Sequence, residues 1–512
     1  MTYLFFLYAF MIPFEYLQEK IPKGPTGINY VNLSMLLMLG FWIIRRTSRG
    51  RSLAVRSPLN MMLILFLAYN YFGLVLGAMQ HGELSMPFDP GSGTFKWFRQ
   101  LANAILIFWF AGALLESRKD LHRGMVVLAL ASPWVFRVFY NQLHSMSGWH
   151  YSDELRIKGP FVYIGSNELA AFFLFSALFF LVMALCRGGR WRDRLLFGMA
   201  TGLYGYGILY SYSRGTQLAA IVAIGVMGLL RYRRLLLVMV VAWVTLPMWL
   251  PRTVQERWDM TYNEQGELDE SAQRRKEYWA LARRMFMERP IFGHGLKTFA
   301  LRNPTGQIPH NMYYRTLAEQ GLVGFMIFMS IWGVILHMGV RLYLRGPESF
   351  DRVYGLALVV ATCGLMVANY FGDRFTYLAM IGHYWILVGM GARLYAHMQG
   401  WEPLTDAEPE TPTTESEPAE TRSGSPGASG SLAPALTGPG INRSRGMPQV
   451  GAWVARKLRG PRPGRLEVVR PSPPIPEADA DGRSKSRRLN IVGRRPEGGR
   501  ECPERLPKRE DA

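Results

Sequence analysis

The stretch "PHNMYYRTLAEQGLVG" (309–324) gathers His310, Asn311, Arg315 and Glu319 directly before a long apolar run. On a helix, spacings of four residues place Asn311 beside Arg315 and Arg315 beside Glu319. The donor-rich first turn of a helix favours an anion, and a histidine at this position titrates near neutral pH. A lone histidine at a helix boundary is usually structural. The three polar neighbours instead favour a site that binds an anion and moves a proton.

Arginines that suit anion binding stand in three other segments. These segments are "YSYSRGTQLAA" (210–220) with Arg214, "SAQRRKEYWALARRMFMERP" (271–290) with Arg274 and Arg275, and "YFGDRFTY" (370–377) with Arg374. Arginine binds phosphate oxygens through two parallel hydrogen bonds, so each segment could clamp a diphosphate. Each also has a structural interpretation: Arg214 as a snorkelling side chain, the loop arginines as a solvated helix face, and Asp373 with Arg374 as a surface turn. Asn167 and Glu168, at the start of another apolar run, are explained by helix capping.

The apolar residues define the class of protein. The chain of 512 residues is 49% apolar and 13% aromatic, yet its formal charge is +20. Charge alone would suit a nucleic-acid binder, but long apolar runs approach the roughly 20 residues that a helix needs to cross a membrane. The sequence therefore predicts an all-α polytopic membrane protein with about twelve transmembrane helices. The predicted spans are roughly 2–14, 28–44, 58–79, 96–115, 124–141, 165–186, 195–212, 216–230, 235–250, 321–340, 353–371 and 378–397.

Lysine and arginine residues predict the orientation, because they accumulate in short cytoplasmic loops. One alternating set of loops is rich in arginine, namely the connections that begin near residues 45, 118, 187, 231 and 341. Both termini are therefore predicted to be cytoplasmic, and residues 251–320 to lie outside. At roughly 70 residues, this connection exceeds the usual length of under about 15 residues and should be a folded element. Within it, a helix is predicted over 271–290, lying along the membrane surface.

The two ends of the chain differ in composition. The apolar amino terminus lacks a basic n-region and a cleavage site, so a retained helix is expected rather than a signal peptide. From residue 401 the chain is rich in Pro, Gly, Ser and charge, which predicts a disordered cytoplasmic tail over 401–512. The basic second half of this tail suits contact with anionic lipid, at about 1 kcal/mol per nearby charge. A solvated tail without specific function is the simpler interpretation.

The ordered motifs resemble those of the bacterial O-antigen ligase and O-antigen or exopolysaccharide polymerase superfamily. The resemblance rests on "YSRGTQLAA", "SAQRRKEYWALARRMFMERPIFGHGLKTF" and "PHNMYYRTLAEQGLVG", and it spans roughly 160–390. Members are polytopic glycosyltransferases that take a glycan from an undecaprenyl-diphosphate carrier and join it to an acceptor sugar on the periplasmic side. The resemblance thus implies a transmembrane glycosyltransferase domain over 1–400, in the bacterial inner membrane.

The resemblance also implies roles for particular residues. The family's serine-arginine-glycine motif falls on Ser213, Arg214 and Gly215, its loop arginine on Arg275, its histidine-asparagine pair on His310 and Asn311, and its glutamate on Glu319. Arg214 and Arg275 suit stabilisation of the departing diphosphate. His310, or Glu319 through a hydrogen bond, suits the general base that activates the acceptor hydroxyl. The expected substrate-binding residues are Asn311, Arg315, Arg274 and Arg374. Apart from scattered acidic residues near 267–270, the outer loops hold no D-x-D pair, so the expected enzyme is metal-independent and needs no cofactor.

Several alternatives remain open at the level of sequence. The expected partners are a lipid-linked glycan donor, an acceptor glycan or glycolipid, membrane lipid and other polysaccharide-assembly proteins, with no nucleic acid. No residue in the sequence distinguishes a polymerase from a ligase. A polymerase is favoured only because no sequence feature points to lipid A core as the acceptor. A polysaccharide transporter or lipid-linked glycan flippase is the alternative from another class. It is disfavoured because transporters place charges at the membrane midplane and contain internal repeats, neither of which is evident in this sequence.

Overall fold

The computed structural model describes residues 2–20, 30–82, 88–89, 92–146, 150–185, 190–260 and 270–405. Within these ranges the regular elements are all helical, which confirms the predicted all-α class. They are α1 (Thr2–Met11), α2 (Glu15–Lys20), α3 (Tyr30–Ser48), α4 (Leu59–His81), α5 (Gly93–Leu114), α6 (Arg118–Leu130), α7 (Ser132–Ser145), a 3₁₀ helix (Asp153–Leu155), α8 (Ser166–Leu185), α9 (Trp191–Leu209), α10 (Arg214–Leu230), α11 (Arg233–Trp249), α12 (Arg252–Asp259), α13 (Glu270–Glu288), α14 (Thr298–Arg302), α15 (Met312–Arg345), α16 (Ser349–Asn369) and α17 (Leu378–Met398). Residues 261–269 of the predicted outer connection and residues 406–512 of the predicted tail lie outside the described residues.

Among the described residues, six stretches of helix are long and apolar enough to cross a membrane. They are Leu59–Gln80, Gly93–Leu114, Arg118–Ser145, Ser166–Leu185, Met312–Arg345 and Ser349–Asn369. Each predicted span overlaps a helix, but α1, α10 and α11 have only 10, 17 and 17 residues. The structure therefore supports a multi-pass membrane protein without confirming the predicted count of twelve spans.

Helix α17 runs through the middle of the packed helices. Its residues from Ala379 to Ala396 are all buried, and it packs on α5, α8 and α15. Because protein surrounds it, the helix accommodates polar side chains such as His383, whose Nε2 lies 2.8 Å from the carbonyl oxygen of Ala9. Helix α16 packs on α8, α10 and α15. The turn between α16 and α17 (370–377) consequently touches the first turns of α8, α10 and α15.

The residues that follow α17 are attached to the opposite end of the bundle. Arg46 donates to Glu402 Oε1 at 3.2 Å, and Arg393 pairs with the other carboxylate oxygen of Glu402. Both arginines are fully buried, and so is Leu404. The described chain therefore stays packed through Leu404, beyond residue 400, and the exposed Thr405 still donates its N–H to the carbonyl of Glu116 at 3.2 Å.

Two truncated chains are expected to differ in stability because of this contact. A chain ending at Thr405 keeps Glu402 and should melt at the same temperature as the full chain. A chain ending at Gly400 leaves two buried arginines without their carboxylate and should lose about 3–5 kcal/mol. Thermal unfolding of the detergent-solubilised proteins measures the difference. Equal melting temperatures for the two truncations would show that Glu402 does not stabilise the bundle.

Candidate functional site

The start of α15 is held in place by its cap and by α13. Asn311 is the N-cap residue, and its Oδ1 accepts from the backbone N–H groups of Tyr313 and Tyr314 at 3.0 and 3.1 Å. Such a side chain satisfies donors that have no partner within the helix. Trp279 of α13 stacks on the Tyr314 ring at 5.5 Å and donates to the carbonyl of Pro309 at 2.9 Å. The helix predicted over 271–290 is thus confirmed, and it packs directly against the candidate site.

His310 lies between these contacts in a strained backbone conformation. Its φ is 48°, in the left-handed region that non-glycine residues seldom adopt and that often occurs at functional sites. Burial lowers the pKa of His310, and the positive charge of Arg275 lowers it further. Arg374 and Arg156 act in the same direction, whereas Glu168 opposes them. His310 is therefore neutral at neutral pH and surrounded by an excess of positive charge.

The structure distinguishes the two adjacent arginines of α13. Arg275 is half-buried and close enough to His310 to influence its pKa, whereas Arg274 is exposed. The two residues differ by one position, about 100° around a helix, and Arg275 is one turn before Trp279, which packs on Tyr314 of α15. Arg275 is therefore the position of the two nearer the buried face of α13.

Arg315 lies in a buried ion-pair network. Its Nε is 3.2 Å from Glu319 Oε2, as the spacing of four predicts, and its Nη1 is 2.9 Å from Asp373 Oδ2. The guanidinium also lies over the ring of Trp97, 5.0 Å from the centroid. Both oxygens of Asp373 accept from the Thr376 hydroxyl. Glu319 is only 2% exposed and bound to a cation, which makes it a positioning group for Arg315 more readily than a free base.

Arg374 points into the molecule rather than into solvent. It forms an ion pair with Glu168 at the start of α8, and its backbone N–H donates to Asn369 at 3.1 Å. Glu168 also accepts from the N–H of Gly165 at 2.9 Å, so the capping role expected for it is present alongside the ion pair. Sequence reasoning did not place Glu168 in the site, because the two paired residues are 206 positions apart.

Arg214 begins α10 beside a second group of arginines. Ser213 precedes it, and the Ser213 and Thr216 hydroxyl groups are 3.0 Å apart. Arg257 of α12 lies near Arg214 and Arg156: burial lowers the pKa of Arg257, and both neighbouring charges contribute. Arg156 also influences His310, so it connects the two groups. Arg156 and Arg257 were missed because nothing in their local sequence sets them apart from ordinary basic loop residues.

A break in α15 at Gly321 shapes the loop beside the site. Gly321 has φ 64° and ψ −165°, a conformation that essentially only glycine adopts. The three carbonyl groups before the break accept hydrogen bonds from outside the helix. The pairs are His294 N to Ala318 O at 3.2 Å, Gly295 N to Glu319 O at 2.7 Å and Tyr69 hydroxyl to Gln320 O at 2.8 Å. A buried carbonyl without a partner is costly, so these donors allow the helix to break here.

The backbone N–H groups after the break are paired in the same way. Leu322 N donates to Pro290 O at 2.7 Å, and Val323 N donates to Ile291 O at 3.2 Å. We call residues 290–295, paired with residues 318–323, the clip. The clip joins the end of α13 to α15 by backbone hydrogen bonds, and Ala318 within it also packs on Ala282 and Met285 of α13. It therefore fixes the helix that carries Arg275 relative to the helix that follows His310.

A comparison with known protein families agrees with this arrangement. Residues 197–329 match a family model described as O-Antigen ligase. The matched range includes Arg214, Arg275 and His310, and it ends eight residues beyond Gly321. The match confirms the resemblance to the O-antigen ligase and polymerase superfamily, and it supports glycan transfer as the general activity. No curated protein matches the chain.

Proposed function

We propose that this protein transfers a glycan from an undecaprenyl-diphosphate carrier to an acceptor sugar on the periplasmic side of the inner membrane. It would act as polymerase or ligase in O-antigen or exopolysaccharide assembly. One observation carries the proposal: His310 is half-buried at the start of α15 with a left-handed backbone, and among the described residues the charges that act most on its pKa are Arg275, Arg374 and Arg156 against Glu168. A diphosphate is an anion that such a surplus of positive charge suits.

The arginines supply the electrostatic part of the mechanism. Negative charge develops on the diphosphate as the bond to the anomeric carbon breaks. Arg275 and Arg214 stabilise that charge, an effect worth several kcal/mol in a site that excludes water. Arg374 is already paired with Glu168, so it contributes less to the ligand. Because the positively charged guanidinium groups take the place of a metal cation, the proposed mechanism needs no metal.

His310 supplies the proton transfer. A neutral imidazole accepts the proton of the acceptor hydroxyl as that oxygen attacks the anomeric carbon. The lowered pKa of His310 keeps it in this neutral form. Glu319 and Asp373 hold Arg315 in position instead of acting as bases, since both already accept hydrogen bonds from Arg315.

The predicted topology supports a periplasmic site. His310 precedes α15, Arg374 follows α16, and Arg214 begins α10, so the candidate residues are at helix ends rather than at mid-helix. The arginine-rich loops that predict the cytoplasmic side lie at the other ends of these helices. A lipid-linked donor would meet its acceptor at this boundary of the membrane.

The glycan profile of a deletion strain tests the proposal. Complementation with wild-type protein or with Arg274→Ala should restore the profile, whereas Arg275→Ala should not, since Arg275 is half-buried and acts on His310 while Arg274 is exposed. Accumulation of single repeat units in the deletion strain would mean a polymerase, and long chains left on the carrier would mean a ligase. An unchanged profile in the deletion strain would overturn the proposal and favour the transporter alternative.

A further inference from the structure

Three non-glycine residues of the described chain have positive φ, and two of them belong to the site already described. They are Tyr212 at 54°, Lys297 at 61° and His310 at 48°. His310 is the proposed base, and Tyr212 is two residues before Arg214. Backbone strain of this kind persists where the surrounding structure requires it, often at functional positions. The third residue, Lys297, has no role in the mechanism above.

Lys297 is held rigidly next to the clip. The residue before it, Leu296, is fully buried and donates its N–H to the carbonyl of Gly73 at 2.7 Å. The residue after it, Thr298, is buried and donates its hydroxyl to Gly295 at 2.7 Å. The Lys297 side chain is half-buried between them. A lysine that served only as a solvated surface group would not require this backbone conformation, which glycine adopts at lower cost.

Lys297 lies next to the network around Arg315, because Gly295 before it donates its N–H to the Glu319 carbonyl at 2.7 Å and Phe299 after it donates its N–H to Glu319 Oε1 at 3.4 Å. Burial lowers the pKa of Lys297, the charge of Arg315 lowers it further, and Glu319 and Asp373 raise it. In the described part of the chain no ion pair joins Lys297 to either carboxylate, since their oxygens accept from Arg315, Thr376 and backbone N–H groups. The ammonium is therefore left for a partner outside this network.

Other buried donors in this region also have no acceptor among the described residues. Arg315 Nη2 and Asn311 Nδ2 are both enclosed, and their residues are only 4% and 1% exposed. Buried donors normally have a partner, from the protein, from water or from a ligand. Trp97 Nε1, in the ring beneath the Arg315 guanidinium, is a further donor of this kind, and Gln320 Oε1 is an unpaired acceptor. Donors therefore predominate, which suits a ligand rich in acceptor oxygens.

The charge on this side of the site differs from the charge around His310. Lys297 and Arg315 are balanced by Glu319 and Asp373, whereas among the described charges that act most on His310 three are arginines and one, Glu168, is a carboxylate. We propose that Lys297 donates hydrogen bonds to hydroxyl oxygens of an uncharged acceptor sugar, which lies on the Arg315 side while the donor diphosphate lies on the His310 side. This inference rests on the proposed function and assigns its acceptor subsite.

Transfer measured with purified protein tests the subsite. The donor is lipid-linked glycan extracted from the deletion strain, and the acceptor is the same glycan freed from its carrier by mild acid. Lys297→Gly removes the ammonium and suits the positive φ, so the variant should fold with an unchanged melting temperature. Its half-saturating acceptor concentration should rise about tenfold or more, in line with the loss of a charged hydrogen bond, while that of the donor stays unchanged. Lys297→Asn, which also tolerates this backbone conformation, should show a smaller rise because its amide still donates.

The outcomes separate this inference from the proposed function. Wild-type protein that transfers no glycan would defeat both. If the wild type is active and Lys297→Gly has an unchanged half-saturating acceptor concentration, the inference alone is overturned. A rise in the half-saturating donor concentration only would also overturn it, because it would put Lys297 on the diphosphate side. A lower melting temperature in both the Gly and Asn variants, with normal acceptor saturation, would show a structural lysine. Lys276→Ala, at an exposed position of α13, is the control and should match wild type.

Discussion

Replacement of His310 by Ala is expected to lower the rate of glycan transfer by about 10²- to 10⁴-fold, the usual contribution of a general base. His310→Asn should lose as much, because asparagine tolerates the left-handed backbone at this position but lacks a proton acceptor of suitable basicity. Both proteins should insert and accumulate normally. The rate is measured with extracted lipid-linked glycan, and the amount of protein is measured in the membrane fraction.

His337→Ala provides the control for this experiment. His337 lies on the same helix, α15, but is exposed near its other end. Its replacement should leave transfer unchanged. Full activity in His310→Asn would exclude His310 as the base and leave only the arginines of the site with a role in the chemistry.

The pH dependence of transfer should report the same histidine. Because burial and Arg275 lower the pKa of His310 below its ordinary value of 6.5, the base is neutral at pH 7 and activity should fall only at lower pH. Arg275→Gln removes one positive charge, which raises that pKa and moves the acid limb to higher pH. Arg275→Lys keeps the charge and should leave the limb in place. If the low-pH fall in activity occurs at the same pH in Arg275→Gln as in wild type, a group other than His310 controls it.

The sequence predicted contacts that depend on helical spacing. The pair of Arg315 and Glu319 follows from the 3.6-residue period, and the helix over 271–290 follows from its polar start and the proline at its end. Asn311 was expected to bind substrate, and the structure shows it first as an N-cap. In each case the information lies within a few residues of the chain.

Contacts between distant segments could not be predicted in this way. Asp373 reaches Arg315 across 58 residues, and Glu168 reaches Arg374 across 206. The local sequence explained both carboxylates adequately, Asp373 as part of a surface turn and Glu168 as a helix cap. Only the packing of α16 on α8 and α15 brings them to the site. The helices themselves could be predicted because the length of an apolar run is read from one continuous stretch of sequence. Ion-pair partners depend instead on how the helices pack.

Replacement of Gly321 by Ala is expected to disrupt the clip and reduce both folded yield and transfer. An alanine Cβ would lie 2.4 Å from the carbonyl oxygen of Ile291 and 2.6 Å from the nitrogen of Gly293. These are backbone atoms, so no side-chain rotation relieves the clash. The backbone conformation itself costs an alanine about 1–3 kcal/mol. Protein that still folds should transfer glycan about 10²-fold more slowly, because displacement of Arg275 by about 1 Å from the reacting groups has an effect of that order.

Gly333→Ala is the matched control in the same helix. Gly333 has ordinary helical geometry, and a Cβ there would meet nothing within 4 Å. Alanine should stabilise this position by about 0.5–1 kcal/mol relative to glycine. If Gly321→Ala behaved like Gly333→Ala in yield, melting temperature and transfer, the break in α15 would not be required for the site.

A double replacement tests whether the two sides of the clip act as one unit. Gly293 has φ 72°, and a Cβ on it would lie 2.5 Å from the carbonyl carbon of Glu319. Gly293→Ala alone should therefore resemble Gly321→Ala in melting temperature and transfer rate. Since either change already separates the loop from α15, the double variant should lose much less than the two losses added together. Additive losses would instead mean that each glycine serves its own segment, and that Arg275 is held at the site by the stacking of Trp279 on Tyr314.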